Sequence, residues 1–334
     1  MSLLIQEEHL NTAFTLSSII EDSQIGGHYG KSLGARAIIS QHPIKKAYLI
    51  LAITLSSQFN PMYRWKIVLD EVVLTREYKP IIESSIANSI HSIFVYDVTS
   101  TLRNAEPTLR IVYDGKDPIK IDSALLISLH SYENFHTYIE GYIHILSLTK
   151  ELIRNYRVPT SFNANEGKVI LGITTTKYDE LSVLRKEDGK MLKTKLIPGF
   201  NLIELPIDLL KEQTLTYRSQ SVYTKHIFHL YVASYSTYPV ITIDKVSLNP
   251  QDNTLHITLS NTGNTTPDSL MLVLLRYGTV LLRHTLEPLK PGEQREVAIE
   301  LKDKKTMPSL LRVVWHKATK TFVTDTRIKD FSNF

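Results

Sequence analysis

The side chains best suited to chemistry in this chain are concentrated between His130 and His144. Aromatic ring faces pack on the apolar faces of ligands such as sugars, and imidazoles bind metal ions. This stretch interleaves four aromatic residues with three histidines. The candidate ligand-binding residues are therefore Tyr132, Phe135, His136, Tyr138 and Tyr142.

A second interpretation of the same stretch is structural. Tyr138, Glu140, Tyr142 and His144 occupy alternate positions, so in a β-strand they share one face, which the next domain could cover. The stretch contains no His-x-His or His-x₃-His pair with a supporting carboxylate, and we therefore predict no metal site. Ligand binding and structural packing both stay open for these residues.

Paired acids are the other pattern that invites a catalytic interpretation. Asp70 and Glu71 separate two apolar runs, and Glu133 lies beside the aromatic residues. Two carboxylates across a cleft can hydrolyse glycosidic bonds, but adjacent acids between strands are more typical of a solvated turn. The sequence shows no combination of nucleophile, base and acid, so we predict no catalytic residue, no cofactor and no enzymatic activity.

The elements that would position these side chains are strands and turns. The run from Ile93 is β-branched and aromatic, and Asp97 and Thr99 follow it as capping residues for a short turn. Asp114 and Gly115 form a strong turn dipeptide before a long stretch with apolar residues at alternate positions. We assign Asp97, Thr99, Asp114 and Gly115 structural roles.

This order of a strand ending in Asp-Val-Thr, a turn, a strand, a turn and a long strand resembles the galactose-binding-like jelly rolls of archaeal and bacterial surface proteins. The resemblance covers residues 47–148. It implies a β-sandwich in which the aspartate is structural.

The last part of the chain has six short strand-like runs at even spacing between Val240 and His316. Asn261-Thr262-Gly263 and Pro291-Gly292-Glu293 lie between them. This order resembles the immunoglobulin-like cell-adhesion-related (CARDB-like) domain over residues 239–330. The resemblance implies that Asn261, Gly263, Pro291 and Gly292 shape turns.

These patterns predict an all-β chain of tandem antiparallel β-sandwiches. We expect a jelly-roll-like sandwich over 1–157, a second β-rich sandwich or an extension of the first over 158–238, and an immunoglobulin-like domain over 239–334. One helix is expected as well. Ile82, Ile86 and Ile90 follow Pro80 at four-residue spacing, which predicts a short surface helix.

Composition narrows the partners. The net charge is only +4 and the basic residues are not clustered, so we expect no nucleic-acid partner. No apolar run is long enough to span a membrane, and the absence of cysteine excludes disulfides and thiolate chemistry. We expect an extracellular or cell-surface location if a leader has been removed, and a cytoplasmic one otherwise. The sequence leaves the oligomeric state undetermined.

Three functions are compatible with this architecture. The first is a non-enzymatic binding or scaffold protein of a cell surface or envelope, with carbohydrate or another surface protein as its partner. The second is a carbohydrate-binding module or carbohydrate-active enzyme that uses the aromatic residues and acids such as Asp70, Glu71 or Glu133. The third is a structural subunit of a filament or virion that assembles through strand edges.

Overall fold

The computed structural model confirms an all-β chain of antiparallel sheets. The chain divides into two compact units, Met1–Ser236 and Thr237–Phe334. No helix in the described part of the chain is long and apolar enough to cross a membrane. The structure describes residues 3–39, 42–86, 88–147, 152–157, 166–206, 212–219, 224–235, 238–249, 251, 253–263, 265–301, 307–318 and 320–328.

The strands are numbered along the chain. The first unit contains β1 (Leu3–Ile25), β2 (Ser32–Arg36), β3 (Ile44–Leu55), β4 (Trp65–Leu69), β5 (Val72–Thr75), β6 (Ile82–Ile86), β7 (Ser89–Asp97), β8 (Thr108–Tyr113), β9 (Ile119–Ser147), β10 (Leu152–Arg157), β11 (Glu166–Thr175), β12 (Asp179–Arg185), β13 (Met191–Leu196), β14 (Gly199–Pro206), β15 (Glu212–Ser219) and β16 (Thr224–Tyr235). The second unit contains β17 (Ile241–Asn249), β18 (Thr254–Asn261), β19 (Ser269–Arg276), β20 (Thr279–Leu286), β21 (Gln294–Glu300), β22 (Leu310–Lys317) and β23 (Lys320–Arg327). A single 3₁₀ turn, Gly27–Tyr29, follows β1.

The first unit is built on one large sheet. Its strand order is β14-β11-β16-β9-β3-β7-β6, and β1 also pairs with β9. β9 is 29 residues long and runs from one half of the sheet to the other. Residues 158–238, for which a second sandwich or an extension of the first was expected, place β11, β14 and β16 in this same sheet.

Two four-stranded sheets cover one face of the large sheet. The sheet β2-β8-β4-β5 packs on the β3 and β9 half through Trp65, Ile67 and Leu109, which meet Leu49 and Leu51. The sheet β10-β15-β12-β13 covers the β11 and β16 half in the same way. We call these two sandwiches the first and the second lobe.

The opposite face of the large sheet forms a third core, the central core. Residues that alternate with those of the lobe cores point into it, such as Ile50 from β3 and Leu125 from β9. They pack with Ile170 of β11 and Phe228 of β16, all of them fully buried. The two lobes are therefore joined through apolar contacts of one shared sheet.

The predicted helix after Pro80 is wrong. Residues 82–86 form β6, and β7 begins at Ser89 after Asn88, which takes a left-handed conformation with φ 61°. The isoleucines suited both periods, but Ile82 is buried while its neighbours are exposed, as a half-buried strand requires. β-branched side chains and a left-handed asparagine favour a hairpin over a helix.

The second unit is a sandwich of a three-stranded sheet, β17-β18-β21, and a four-stranded sheet, β20-β19-β22-β23. Leucine, isoleucine and valine side chains from both sheets fill its core, together with Trp315. The indole of Trp315 donates a hydrogen bond to the carbonyl of Pro239 over 3.0 Å, which anchors the start of the unit to β22.

Asn261 provides a first testable prediction in this unit. Its buried side-chain amide donates to the carbonyls of Thr265 and Leu289 at 2.8 and 2.9 Å and accepts from the backbone N–H of Gly263 at 3.0 Å. Replacement by alanine leaves these groups without the partner, and we expect a loss of about 2 kcal/mol in the unfolding free energy.

Fluorine NMR of the fluorotryptophan-labelled chain measures this loss, because Trp315 reports the second unit and Trp65 the first. We expect Asn261→Ala to lower the urea midpoint only for the Trp315 signal. Thr262→Ala, an exposed neighbour, serves as the control. Equal midpoints for the Asn261→Ala and Thr262→Ala chains would contradict the prediction.

Candidate functional site

The predicted ligand-binding residues lie along β9 and are mostly covered. Tyr132, Phe135 and Tyr138 are 8%, 4% and 2% exposed, and His136 and Tyr142 are half-buried. Tyr132 and Phe135 contact each other edge to face, with ring centroids 4.8 Å apart. Stacking on a sugar needs an open ring face, so this burial favours the structural interpretation for the three covered rings.

Tyrosine hydroxyl groups converge on Glu140 inside the second lobe. The carboxylate of Glu140 accepts from the hydroxyls of Tyr138 and Tyr142 at 3.1 and 3.0 Å. The hydroxyls of Tyr156 and Tyr217 are 2.8 Å apart, and burial raises the pKa of both. These hydroxyls stay protonated at neutral pH and connect strands of the lobe by hydrogen bonds.

A serine and a histidine meet on β9 in the manner of a nucleophile and its base. Ser128 Oγ lies 2.8 Å from His130 Nε2, and Thr15 Oγ1 lies within 3.0 Å of both atoms. The other ring nitrogen, Nδ1, faces the carbonyl of His42 at 3.2 Å, where a carboxylate would stand in a triad. Ser128 and His130 are fully buried, so this arrangement holds strands together and admits no substrate.

Four ionisable side chains of the first unit are linked, through Thr54, into one series of hydrogen bonds and an ion pair. Lys225 Nζ lies 2.5 Å from His91 Nε2, and His91 Nδ1 lies 2.8 Å from Thr54 Oγ1. Thr54 donates to Asp122 Oδ2 at 2.5 Å, and Lys120 pairs with Asp122 at 3.4 Å. With lysine and threonine donating, the imidazole accepts at Nε2 and donates at Nδ1. A neutral His91 therefore satisfies every hydrogen bond in this series.

Burial shifts the pKa values of the side chains in this hydrogen-bonded series. Burial, and after it the nearby Lys225 cation, lower the pKa of His91 to about 4. Burial also lowers the pKa of Lys225 and raises that of Asp122. Burial opposes the charge of Lys120 as well, but the bonds to Asp22 and Asp122 outweigh it and raise the pKa of this lysine.

A cavity of about 10 Å³ adjoins this hydrogen-bonded series, and its lining includes His91, Asp122, Thr174 and Lys225. The hydroxyl of Thr174 is buried and makes no hydrogen bond to any described residue. This volume is about that of a single water-sized probe, too small for a substrate. The hydrogen-bonded series therefore serves as a polar connection between β3, β7, β9 and β16.

None of these four ionisable residues stood out in the sequence. Asp122 is almost completely buried among the alternating apolar residues of β9, and Lys225 is buried near the start of β16. An isolated charge inside an apolar run is the signal that could have marked them. Their meeting depends on the central core, which brings Lys225 against His91, 134 residues away in the sequence.

Of the residues assigned to turns and caps, Asp97 and Asn261 end strands β7 and β18, and the others lie in the connections between strands. Asp97 accepts from the N–H and hydroxyl of Thr99 and from Lys46, whose ammonium lies 2.7 Å away. Those bonds lower the pKa of Asp97 to about 2, with the Lys46 bond as the largest cause. Asp114 accepts from the N–H of Arg64 at 2.6 Å.

Three further residues assigned to turns are glycines. A Cβ on Gly115 would overlap the side chain of Tyr113, and one on Gly263 would overlap the backbone before Val240. Gly292, which follows Pro291, has φ 74° and donates its N–H to the carbonyl of Asn261 over 2.8 Å. These contacts leave little room for any side chain at the first two positions.

The acids of the carbohydrate hypothesis are separate turn and surface groups. Asp70 and Glu71 both have left-handed backbones, at φ 45° and 67°, in the tight turn between β4 and β5. Asp70 accepts from the N–H of Thr108 at 3.0 Å, and Glu133 is exposed on β9. Among the described residues there is no group of three or more histidines and acids that could hold a metal ion.

The second unit exposes a complete edge strand. All residues of β20 from Thr279 to Thr285 are exposed, including the apolar Val280, Leu281 and Leu282 at 41%, 39% and 37%. Successive residues of a strand point to opposite faces, so neither face of β20 is fully covered. Tyr277, at the tip of the β19–β20 hairpin, is 89% exposed.

The other edge of this sandwich has a groove of about 270 Å³ between β17 and β23, with Ile243, Val246, Leu248 and Ile328 among its lining. Its acid, Asp244, accepts from Thr242, Ser260 and Gln294. The groove is slightly smaller than most small-molecule sites.

Comparison with known proteins adds little about function. No family model matches the chain, and no curated protein matches its sequence. Among solved structures, a peptide-N(4)-(N-acetyl-β-D-glucosaminyl) asparagine amidase matches 67% of this chain and 96% of its own length, at 9% identity and a TM-score of 0.28. A β-glucuronidase from an uncultured Clostridium species matches 57% of this chain and 35% of its own, at 10% identity and a TM-score of 0.22.

Dimeric latent PorU from Porphyromonas gingivalis covers more of this chain, 79%, and 31% of its own length, at 8% identity and a TM-score of 0.26. These values carry no argument about the activity of this chain. The chain is all-β, with sandwich-like antiparallel sheets.

Proposed function

We propose that this chain is a non-enzymatic binding or scaffold protein that holds a partner protein through its second unit. The observation that carries the proposal is β20, an edge strand whose apolar side chains are exposed on both faces. Edge strands with free backbone groups are templates for pairing with another chain, and soluble proteins usually protect them. An interaction surface explains why this one is left open.

The buried ionisable groups of the first unit support a non-enzymatic role. Ser128 with His130, and Lys225 with His91, are the described pairs closest to catalytic geometry. Both pairs are buried, and the cavity beside Lys225 and His91 is no larger than a single water. Their bonds connect strands, which suits a rigid scaffold.

The finer part of the proposal is the family and the location. We place the protein among archaeal or bacterial surface proteins, with a galactose-binding-like sandwich over 47–148 and a CARDB-like domain over 239–330. The support is the order of strands and turns in the sequence. A cell-surface or envelope adhesion protein needs open binding edges, as the second unit has.

A charge test on β20 addresses the proposal. We expect Leu281→Lys/Leu282→Lys to weaken binding of the partner at least tenfold, because two ammonium groups on the edge oppose strand pairing. Stability should change by less than about 0.5 kcal/mol, since both side chains are exposed. The partner is captured from the source cells with the wild-type chain, identified by mass spectrometry, purified and titrated against each variant.

Val323→Lys is the matched control, because Val323 is 51% exposed on β23, the opposite edge strand of the same sheet. Equal binding by the β20 variant and this control would overturn the role of β20. Hydrolysis of a glycan, or sugar binding lost in Tyr142→Ala, would favour the carbohydrate alternative instead. Concentration-dependent growth of polymers in sedimentation would favour the filament or virion subunit.

A further inference from the structure

The sandwich of the second unit has unequal layers, with three strands opposite four. β17 lies against β22 and β23, which fixes how the two layers face each other. In the three-stranded sheet β18 and β21 follow β17, and in the four-stranded sheet β19 and β20 follow β22, so the three-stranded sheet is one strand shorter on the side of β20. The layer opposite β20 therefore lacks a fourth strand among the described residues.

The face of β20 that points toward the core is uncovered as well as the outer one. Leu282, His284 and Leu286 pair with Leu274, Leu272 and Leu270 of β19, so they share the face of these buried leucines. Leu274 is 1% exposed, whereas Leu282 beside it is 37% exposed. The higher exposed fraction of Leu282 reflects the absence of a strand opposite it, because the two side chains project from neighbouring strands in the same direction.

The strand that could be extended to supply this cover is β21. Within the described residues it pairs only with β18, which leaves its other side open. Val297 and Ile299 point into the core, and Glu296 and Glu300 point outward and are exposed. A strand added beside β21 would place its own outward side chains next to these two carboxylates.

We propose that the second unit binds an extended segment of a partner protein as a fourth strand along β21, covering the inner face of β20. This inference rests on the function proposed above and names the chemistry of the partner. The segment spans about the seven residues of β21 and alternates apolar with basic side chains. Its apolar residues pack on Leu282, and its lysines or arginines meet Glu296 and Glu300.

Peptides test the charge pattern directly. The probes are a seven-residue peptide that alternates valine with lysine, one that alternates valine with glutamate, and a peptide with the lysines and valines in separate blocks. We expect the alternating lysine peptide to bind the full chain about tenfold more tightly than either of the others. Glu296→Lys/Glu300→Lys should reverse the preference between lysine and glutamate peptides, as measured by fluorescence anisotropy.

Amide hydrogen exchange locates the bound peptide. Strand addition should slow exchange at alternate residues of β21. Leu282→Glu should weaken binding of the lysine peptide at least tenfold, whereas Val323→Lys should not. Equal affinity for all three peptides, or protection at β23 or at the outer side of β20, overturns the inference. If the identified partner still depends on β20 in that case, the proposed function stands and the mode of strand addition fails.

Self-association gives a separate outcome. A second copy of this chain that covers the edge would appear as a dimer in sedimentation and would be dispersed by the lysine peptide if it used the same strand position. A dimer that persists with saturating peptide and buries β20 would overturn the assignment of this edge to a basic partner strand.

Discussion

Lowering the pH from 7 to 4 is expected to destabilise the first unit by several kcal/mol. His91 and His144 are 6% and 2% exposed, and burial lowers the pKa of each to about 4. In the unfolded chain both titrate near 6.5. Between these values the unfolded state binds protons that the folded state does not, so stability is complete above pH 6.5 and is lost as the pH falls toward 4.

The size follows from the two shifts. Each pKa unit corresponds to about 1.4 kcal/mol, so each histidine contributes a loss of about 3 kcal/mol by pH 4. His130, with its pKa also lowered by burial, acts in the same direction. Asp122 acts in the opposite direction, because its raised pKa lets the folded state bind a proton first. Lys225 and Lys120 face His91 and oppose its protonation.

Urea unfolding at intervals from pH 8 to 4, followed by the fluorine signal of Trp65, measures this dependence. His91→Gln/His144→Gln should flatten the curve between pH 6.5 and 4, because neither glutamine titrates. His28→Gln is the matched control, since His28 is exposed. A wild-type slope retained in the double variant would show that these two histidines do not cause the loss.

Replacing Phe228 by alanine is expected to cost about 4 kcal/mol in the unfolding free energy. Phe228 is fully buried in the central core, where it packs with residues from β3, β9 and β11. Truncation removes buried apolar surface and leaves a cavity that a sheet cannot easily close. Because the central core joins the two lobes, we expect the first unit to lose stability as a whole.

Gly172 offers an internal control for this effect. It lies directly across from Phe228 in the sheet, and a Cβ at position 172 would overlap the phenylalanine ring. Gly172→Ala alone should destabilise by about 2 kcal/mol through overpacking. In the double variant the methyl group occupies part of the vacated space, so its loss should be smaller than the sum. Additive losses in urea unfolding would contradict this packing.

The sequence predicted the classes of structure better than the site. Alternate apolar residues such as Ile121, Leu125 and Ile127 predicted strands, and the structure confirms an all-β chain. Four-residue spacing of isoleucines misled the prediction after Pro80, because a few residues satisfy both a helical period and a two-residue period. The division into three domains and the ligand-binding residues stay predictions.

The candidate sites depended on contacts that no local pattern contains. Lys225 and His91 are 134 residues apart and touch only because β16 and β7, from the two halves of the large sheet, both pack into the central core. Tyr138 was compatible with a ligand or with a core in the sequence, and the structure buries it in the core of the second lobe. The sequence indicated that a face was apolar, but not what would lie against it.

What the sequence by itself determined was the strand period and the places where the chain turns, because both follow from neighbouring residues: side chains alternate along a strand, and Asn261 and Gly292 favour bends locally. What only the tertiary structure decided was which faces are covered. The polar chain through Asp122 and the open inner face of β20 both arise from strand order, which depends on packing over the whole unit.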